Sequence, residues 1–320
     1  MNLIGHDDAW LAWRKALSSA RMHHAWMLAG RQGLGKMRFA RQAARELVFE
    51  TGIPQPEGHH PDILVLSRLP KDDKEARKRD DGKPFETKRN ISVAQIREMQ
   101  RRLTTRPTLG SRRAIIIDPA DDLEKGASNA LLKSLEEPPI GTFFLLVVHR
   151  PARLLPTIRS RCRILRFPTL SDQELSRFLS RETPEADSAT RQAAIVAAGG
   201  SPGLALDFVE RDLGELFSLM QAVMRDGDPD FELRGRLAEA IGARPNRERI
   251  QATLDLARAV LAEAVENAQT LQYPQITSAH SELVRLTGQA PTYNFDAGLL
   301  VAEIGSLLAS AAAPRERANV

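Results

Sequence analysis

The feature that most constrains this chain is a glycine-rich segment near residue 30, where Gly30, Gly33 and Gly35 are followed at once by Lys36. The apolar run 25–29 precedes the segment, and apolar residues recur every four positions after it. This order predicts a buried strand, a tight turn and an amphipathic helix. Glycines let such a turn aim backbone N–H groups at a phosphate, and the helix N-terminus adds partial positive charge. The segment therefore predicts a phosphate-binding P-loop.

The residue after the lysine departs from the P-loop pattern. The pattern G-x-x-x-x-G-K-[ST] is matched at Gly30, Gly35 and Lys36, but Met37 replaces the hydroxyl residue that would ligate Mg²⁺. A thioether is a poor ligand for so hard a cation. We expect the loop to cradle phosphate without supplying the metal ligand that hydrolysis needs.

A second departure follows an apolar strand predicted over residues 113–118. The strand ends at Asp118, and in P-loop proteins such an aspartate lies beside the phosphates and orients Mg²⁺. Hydrolysing ATPases generally carry a glutamate next, which activates the attacking water, whereas this chain has Pro119. Both departures predict little or no intrinsic ATP hydrolysis. They leave open whether ATP is bound without being hydrolysed.

Composition excludes several other classes of protein. The single cysteine, Cys162, excludes a disulfide framework and a cysteine-rich zinc site, and it is typical of a reducing cytosol. No apolar stretch approaches the length that spans a bilayer, and charges occur throughout residues 1–25. We therefore expect a cytoplasmic protein with no membrane contact and no signal peptide. The net charge of +4 permits contact with nucleic acid without demonstrating it.

Histidines occur at two places where a metal site has to be weighed. His23 and His24 precede the first predicted strand, and packing or hydrogen bonding is favoured there because no cysteine or carboxylate cluster is near in the sequence. His59, His60 and Asp62 offer nitrogen and oxygen ligands, but their spacing is more typical of a turn. We expect no metal site and no structural zinc.

Apolar runs alternate with helical patterns through residue 167, which predicts a parallel α/β sheet. Helical periodicity dominates from residue 168 onward. We therefore expect an α/β nucleotide-binding domain over residues 1–167, a small helical domain over 168–212 and an all-helical domain over 213–320. The other strands are predicted over residues 63–66, 142–148 and 164–167.

A charge-rich segment, residues 68–90, follows the second predicted strand. Between Lys71 and Arg89 it holds eight basic and six acidic residues with a single aromatic, Phe85. A basic loop that touches DNA is one hypothesis. A solvated segment that is mobile or disordered is the favoured one, because the opposite charges nearly cancel.

The first 210 residues resemble the AAA+ ATPases, and specifically the subunits of bacterial clamp loaders. The asparagine-to-proline run that begins at Asn129 and the Ser-Arg-Cys triplet are the most specific of the motifs that carry the resemblance. Those motifs are Ile4-Gly5-His6, His24-Ala25, Gly30–Lys36, Asp118, Ala127–Pro139 and Ser160-Arg161-Cys162. The resemblance implies an AAA+ P-loop domain, a helical lid domain and a C-terminal collar domain, although the last part matches only in size and helicity.

Among clamp-loader subunits, four positions are typical of the non-motor delta-prime class. Motor subunits of the gamma/tau class carry a hydroxyl residue, a catalytic glutamate, a threonine and an arginine where this chain has Met37, Pro119, Val148-His149 and Gly203. Motor subunits and many delta-prime subunits also carry a zinc module of four cysteines. This chain has one cysteine and therefore lacks the zinc module. The module thus cannot be used to support the resemblance to the delta-prime class.

The resemblance implies an architectural and regulatory role within the DNA-directed DNA polymerase III holoenzyme, a nucleotidyltransferase. A delta-prime subunit joins gamma/tau and delta in a ring that opens the sliding clamp and places it on primed DNA. Its Ser-Arg-Cys arginine, Arg161 here, is implied to act as an arginine finger on the ATP of the adjacent motor subunit. Arginine suits this role because it is always charged and has a planar fork of donors. An interface salt bridge is the alternative for Arg161.

Two other functions remain open from the sequence. A self-sufficient AAA+ motor of the gamma/tau kind would hydrolyse ATP as an isolated chain. A nucleotide-free DNA-binding adaptor would bind DNA alone, with an affinity that falls steeply as salt rises.

Overall fold

The computed structural model describes residues 4–19, 21–243, 245–268, 272–289 and 295–312. The chain divides into two compact units, Met1–Thr169 and Leu170–Val320. The division between a lid and a collar near residue 212 remains a prediction.

The first unit is built on a five-stranded sheet in which every strand pair is parallel, in the order β2-β3-β4-β1-β5. This confirms the α/β prediction. Three strands occupy the runs predicted from apolar residues. Strand β3 ends one residue earlier than predicted, and the last strand both begins and ends one residue earlier. The strands are β1 Ala25–Ala29, β2 Ile63–Leu66, β3 Arg113–Ile117, β4 Thr142–Val148 and β5 Arg163–Arg166.

Helices connect these strands and cover both faces of the sheet. Ser92 begins α4 with a capping box, because its side chain accepts from the backbone N–H of Gln95 while the Gln95 side chain returns to the backbone of Ser92. The helices of this unit are α1 Asp7–Leu17, α2 Lys36–Val48, α3 Asp73–Asp80, α4 Val93–Leu103, α5 Lys125–Glu136 and α6 Pro156–Arg159.

Side chains of the central strands alternate between two apolar layers. Met27 and Phe144 face the layer that includes α4 and α5, whereas Trp26 and Leu28 face the layer that includes α1 and α2. All four side chains are at most 1% exposed. Burial of each large apolar side chain contributes about 1.5–3 kcal/mol to the stability of the fold. The two layers therefore fix the strands whose ends carry the candidate site.

The second unit is helical throughout its described residues. Within it, α8 packs against α10 and α12 as well as against its neighbours α7 and α9. The helices are α7 Asp172–Glu182, α8 Ser188–Ala198, α9 Pro202–Glu210, α10 Gly214–Asp226, α11 Glu232–Ile241, α12 Arg247–Asn267, α13 Tyr273–Gln289 and α14 Ala297–Ser310. None of the described helices of either unit is both long and apolar enough to cross a membrane.

The charge-rich segment 68–90 is ordered, so the expectation of a mobile or disordered segment was wrong. It contains α3 and closes into a loop, here called the charged arm, through an antiparallel bridge between Pro70 and Thr87. Glu75 fixes the two sides together, because its carboxylate accepts from the backbone N–H of Glu86 at 2.7 Å and from Lys78 at 2.7 Å. The Glu75 residue is only 7% exposed.

Candidate functional site

The glycines predicted to form a phosphate cradle lie in the turn between β1 and α2. Gly33 and Gly35 have φ values of 80° and 77°, a region that glycine enters without steric cost. Gly30 is fixed by a close approach instead, because a Cβ at that position would lie 2.4 Å from the carbonyl oxygen of Phe167. The backbone therefore has the tight turn that the sequence predicts at all three positions.

The P-loop lysine is folded onto its own loop. Lys36 Nζ donates to the carbonyl oxygen of Gly30 at 2.6 Å and also to that of Arg31. The residue is only 2% exposed. In this arrangement the ammonium group closes the loop on itself, where a phosphate-binding lysine would extend to the ligand.

Burial makes the Lys36 ammonium group easier to deprotonate. It lowers the pKa of Lys36 to about 8, although the nearby carboxylates of Asp121 and Asp118 favour the charged form. Burial likewise raises the pKa of the Asp118 carboxyl, while Lys36 and Arg41 act in the opposite direction. The predicted aspartate and lysine are thus brought together at one edge of the sheet, and each is less readily charged than in water.

Met37 does not provide the Mg²⁺ ligand that a hydroxyl residue would provide at this position. Its side chain packs against the apolar layer formed with α1 and α2. Asp118 follows β3 at the carboxyl edge of the sheet, where its backbone N–H donates to Leu66 at 2.9 Å, and Pro119 comes next. Neither Met37 nor Pro119 has the chemistry of the residue that the hydrolytic pattern carries at its position.

Two residues that the sequence did not single out as a pair complete this edge. The backbone N–H of His149, which follows β4, donates to Asp121 Oδ1 at 2.9 Å. Burial and the nearby charge of Lys36 lower the pKa of His149 to about 4, and its Nδ1 is buried without a partner among the described residues. The sequence hint for His149 is that motor subunits have a threonine at Val148-His149. No sequence pattern around Asp121 indicates that it lies at this site.

The motif Ile4-Gly5-His6 lies against the P-loop. His6 Nε2 donates to the carbonyl oxygen of Leu34 at 3.0 Å, and its ring lies 4.8 Å from the ring of Phe167. This contact supports the loop from outside the glycine pattern.

Arg161 lies at the amino-terminal ends of the parallel strands, whereas the P-loop lies at their carboxyl ends. It lies two residues before β5, whose Arg163 pairs with Trp26 near the start of β1, whereas Gly30 follows the end of β1. A strand of five residues spans about 17 Å. Arg161 is therefore not part of the P-loop site of its own chain.

Two groups of its own chain hold the Arg161 guanidinium. Its Nη2 lies 2.6 Å from Glu136 Oε1, and its Nη1 donates to the carbonyl oxygen of Thr157 at 2.9 Å. The Arg161 side chain is 35% exposed and that of Glu136 48% exposed. The neighbouring Cys162 thiol is largely buried, and burial raises its pKa to about 12, so it is a poor nucleophile.

The histidines considered as metal ligands make hydrogen bonds to backbone and side-chain groups. His24 Nε2 donates to the carbonyl oxygen of Leu135 at 2.8 Å, and His23 Nδ1 lies 2.9 Å from the carbonyl oxygen of Ala25, which confirms the hydrogen-bonding interpretation. His60 bonds to a glutamine side chain. Across the described part of the chain, no group of three or more His, Cys, Asp or Glu side chains could hold a metal ion.

The chain matches the family model described as DNA polymerase III, delta subunit, over residues 5–171. It is 31% identical over 207 residues to the DNA polymerase III subunit delta' of Pseudomonas aeruginosa, and the alignment covers 59% of this chain and 58% of that protein. Identity to the subunit delta' of Escherichia coli is 31% over 210 residues, covering 61% and 57% of the two chains. The chain therefore spans a little under three fifths of the length of these curated relatives.

A solved structure supports the fold over a longer part of the chain. The crystal structure of a DNA polymerase III gamma subunit-related protein from Thermotoga maritima superposes with a TM-score of 0.52 at 20% sequence identity. The match covers 94% of this chain and 100% of that one. The similarity shows the fold, a parallel P-loop sheet followed along the chain by helices.

Proposed function

This chain belongs to the family of DNA polymerase III delta-prime subunits, which have the AAA+ fold, and from that premise we propose that it is a non-motor subunit of a clamp loader. In this proposal it assembles with gamma/tau and delta subunits in the cytoplasm. The complex then opens a sliding clamp and places it on primed DNA.

One observation carries the proposal: the P-loop keeps its backbone shape while its side chains lack the hydrolytic groups. Lys36 is bound to its own loop, Met37 packs in the apolar layer, and Pro119 stands where a water-activating glutamate is needed. A side chain that neither ligates Mg²⁺ nor accepts a proton cannot drive hydrolysis in cis. The fold is thus retained for a purpose other than turnover at its own site.

Arg161 is the residue through which the subunit acts on a neighbour in this proposal. It lies about 17 Å of strand away from its own P-loop, partly exposed and on an ordered loop. An arginine fork stabilises the charge that builds on the oxygens of a transferring phosphoryl group. We assign Arg161 this role in trans, on ATP held by an adjacent motor subunit.

The first test is turnover by the isolated chain. We expect purified protein to show negligible ATP hydrolysis in a phosphate-release assay with Mg²⁺. Met37→Thr restores the metal-ligating hydroxyl but leaves Pro119, so it should remain equally inactive. Robust turnover by the wild type, co-purifying with the chain through successive columns, would favour the motor function instead.

The second test uses the complex purified from the cell that makes this chain. Arg161→Ala should assemble normally while lowering DNA-stimulated ATP hydrolysis, and Arg161→Lys should restore little because an ammonium lacks the planar fork. Arginine fingers contribute about 10³–10⁵ in rate in GTPases, but only one of several motor sites is affected here, so the total rate should fall only in part.

Arg159→Ala is the matched control for that experiment, because Arg159 is exposed and lies two residues away. Its complexes should keep the wild-type rate. If Arg161→Ala complexes also keep it, the proposal that Arg161 acts in trans is wrong. DNA binding by the lone chain with a steep salt dependence would favour the adaptor function.

A further inference from the structure

Glu136 occupies a position that a glutamate does not favour. It is the last residue of α5, where the partial negative charge of the helix dipole disfavours a carboxylate and favours a cation. Residues that break a local preference without a structural need are candidates for function. The cation that compensates Glu136 is Arg161, 25 residues further along the chain.

The contacts of Arg161 leave most of its donors available. A guanidinium carries five N–H groups. Arg161 Nη1 donates to the carbonyl oxygen of Thr157, and Nη2 forms an ion pair with Glu136. Within the described part of the chain, the guanidinium donates no other hydrogen bond. The two contacts therefore orient the fork without using it up.

Both supports of the guanidinium are themselves fixed. His24 donates to the carbonyl of Leu135 at the end of α5, and Glu137 donates its backbone N–H to Lys133. On the other side, the turn that carries Thr157 is anchored by Ile158, which is fully buried. Glu136 and Thr157 thus offer Arg161 acceptors at set positions.

We propose that Glu136 is a positioning residue for Arg161, which aims the free N–H groups of the guanidinium at the phosphate oxygens of a nucleoside triphosphate bound by a neighbouring subunit. The inference rests on the proposed function. An unsupported arginine loses side-chain entropy when it docks, whereas an arginine held in advance has already lost it. Because both side chains are partly exposed, the ion pair is weak, so it orients Arg161 without withdrawing it from a phosphate.

The experiment measures DNA-stimulated ATP hydrolysis by the assembled complex as a function of ATP concentration. Glu136→Gln keeps the size of the side chain and removes its charge. At the one ATP site that Arg161 serves, we expect the rate to fall about two- to fivefold, the factor that corresponds to a surface ion pair. The total kcat of the complex should therefore fall only in part, and by no more than in Arg161→Ala, with KM for ATP unchanged. Glu136→Asp keeps the charge on a shorter arm and should retain more of the rate than Glu136→Gln.

Glu137→Gln is the matched control, since Glu137 is the adjacent exposed glutamate and its carboxylate has no partner among the described residues. It should leave both kcat and KM at the wild-type values. In an Arg161→Ala background, Glu136→Gln should cause no further loss, because a positioning residue has nothing left to position.

Three results would overturn the inference. An equal loss from Glu136→Gln with and without Arg161 would mean a structural role for Glu136. A higher kcat in Glu136→Gln would mean that the pair restrains Arg161. An unchanged kcat in Glu136→Gln, while Arg161→Ala lowers it, would mean no positioning. If Arg161→Ala itself has no effect, the proposed function fails instead.

Discussion

Lys36 shows how a residue that matches a motif can have a different environment from the one the motif implies. The pattern predicts a cation beside phosphate, but the ammonium group donates to the carbonyl oxygens of Gly30 and Arg31. Its lowered pKa of about 8 means that keeping the charge costs the folded state free energy at neutral pH. The stability of the protein therefore depends on pH through this one side chain.

The sign of that dependence is testable with Lys36→Met. Between pH 8 and 10.5 the unfolded chain binds more protons at Lys36 than the folded chain does, so wild-type stability rises with pH over that range. Relative to Lys36→Met, the free energy of unfolding of the wild type should rise by about 2 kcal/mol from pH 7 to pH 9.5.

Urea denaturation of both proteins at the two pH values measures this difference. Lys133→Met, which removes an exposed lysine of α5, is the control and should show no such change relative to wild type. A constant difference between wild type and Lys36→Met across the range would contradict the buried position of the ammonium group.

Gly30 is required by a close backbone approach. A methyl group there would lie 2.4 Å from the carbonyl oxygen of Phe167, and backbone cannot move aside as a flexible side chain does. Gly30→Ala should lower the midpoint of thermal unfolding by several degrees. Gly235→Ala, in α11 with open space around the new methyl group, should instead stabilise by about 0.5–1 kcal/mol. Calorimetry of the two variants checks both signs.

At the scale of whole elements, apolar runs predicted the strands and charge composition failed to predict the charged arm. Strands β1, β2 and β4 lie where four- to seven-residue apolar runs place them, because buried parallel strands need no alternation. The order of the arm depends on Glu75 reaching Glu86, eleven residues away, and no local pattern reports such a contact. The same reason hid Asp121 beside His149 and Glu136 beside Arg161.

The arm should open when the Glu75 contact is removed. Glu75→Gln loses the charge that holds the backbone N–H of Glu86 and the ammonium of Lys78, so trypsin should cut between residues 71 and 89 faster than in wild type. Glu86→Gln breaks only the exposed pair with Lys71 and should change the cleavage rate little. Equal cleavage of wild type and Glu75→Gln would show that the bridge at Pro70 and Thr87 suffices.

Opening by acid should follow the same contact. The hydrogen bonds from Lys78 and the backbone of Glu86 lower the pKa of the Glu75 carboxyl. The stabilising contact is therefore complete above the ordinary pKa of a glutamate and is lost as pH falls through the lowered value. Hydrogen exchange of the Glu86 amide, measured as pH is lowered, reports that loss directly.

At the scale of the whole molecule, the boundary near residue 169 separates the two compact units, whereas the proposed boundary near 212 crosses packed side chains. Phe208 of α9 lies 5.8 Å from Phe217 of α10, ring to ring, and α8 packs against α10 and α12. A fragment ending at residue 212 would expose these faces to water.

Residues 1–169 should therefore fold as a fragment with one cooperative thermal transition, whereas residues 1–212 should bind a hydrophobic dye and aggregate on heating. Circular dichroism and dye fluorescence distinguish the two fragments. A well-behaved 1–212 fragment would support an independent helical lid and an independent collar.

The placement of Gly30 and Arg161 at opposite edges of one sheet gives the subunit a direction. If the proposed function is right, one edge receives a neighbour's arginine while the other edge delivers its own, so contacts between subunits are head to tail. Under the proposed function, this chain supplies Arg161 to a neighbour but does not hydrolyse ATP at its own P-loop. Such a chain can only lie at the end of the series of ATP sites. A signal relayed from site to site would therefore have one of its two end points at this subunit.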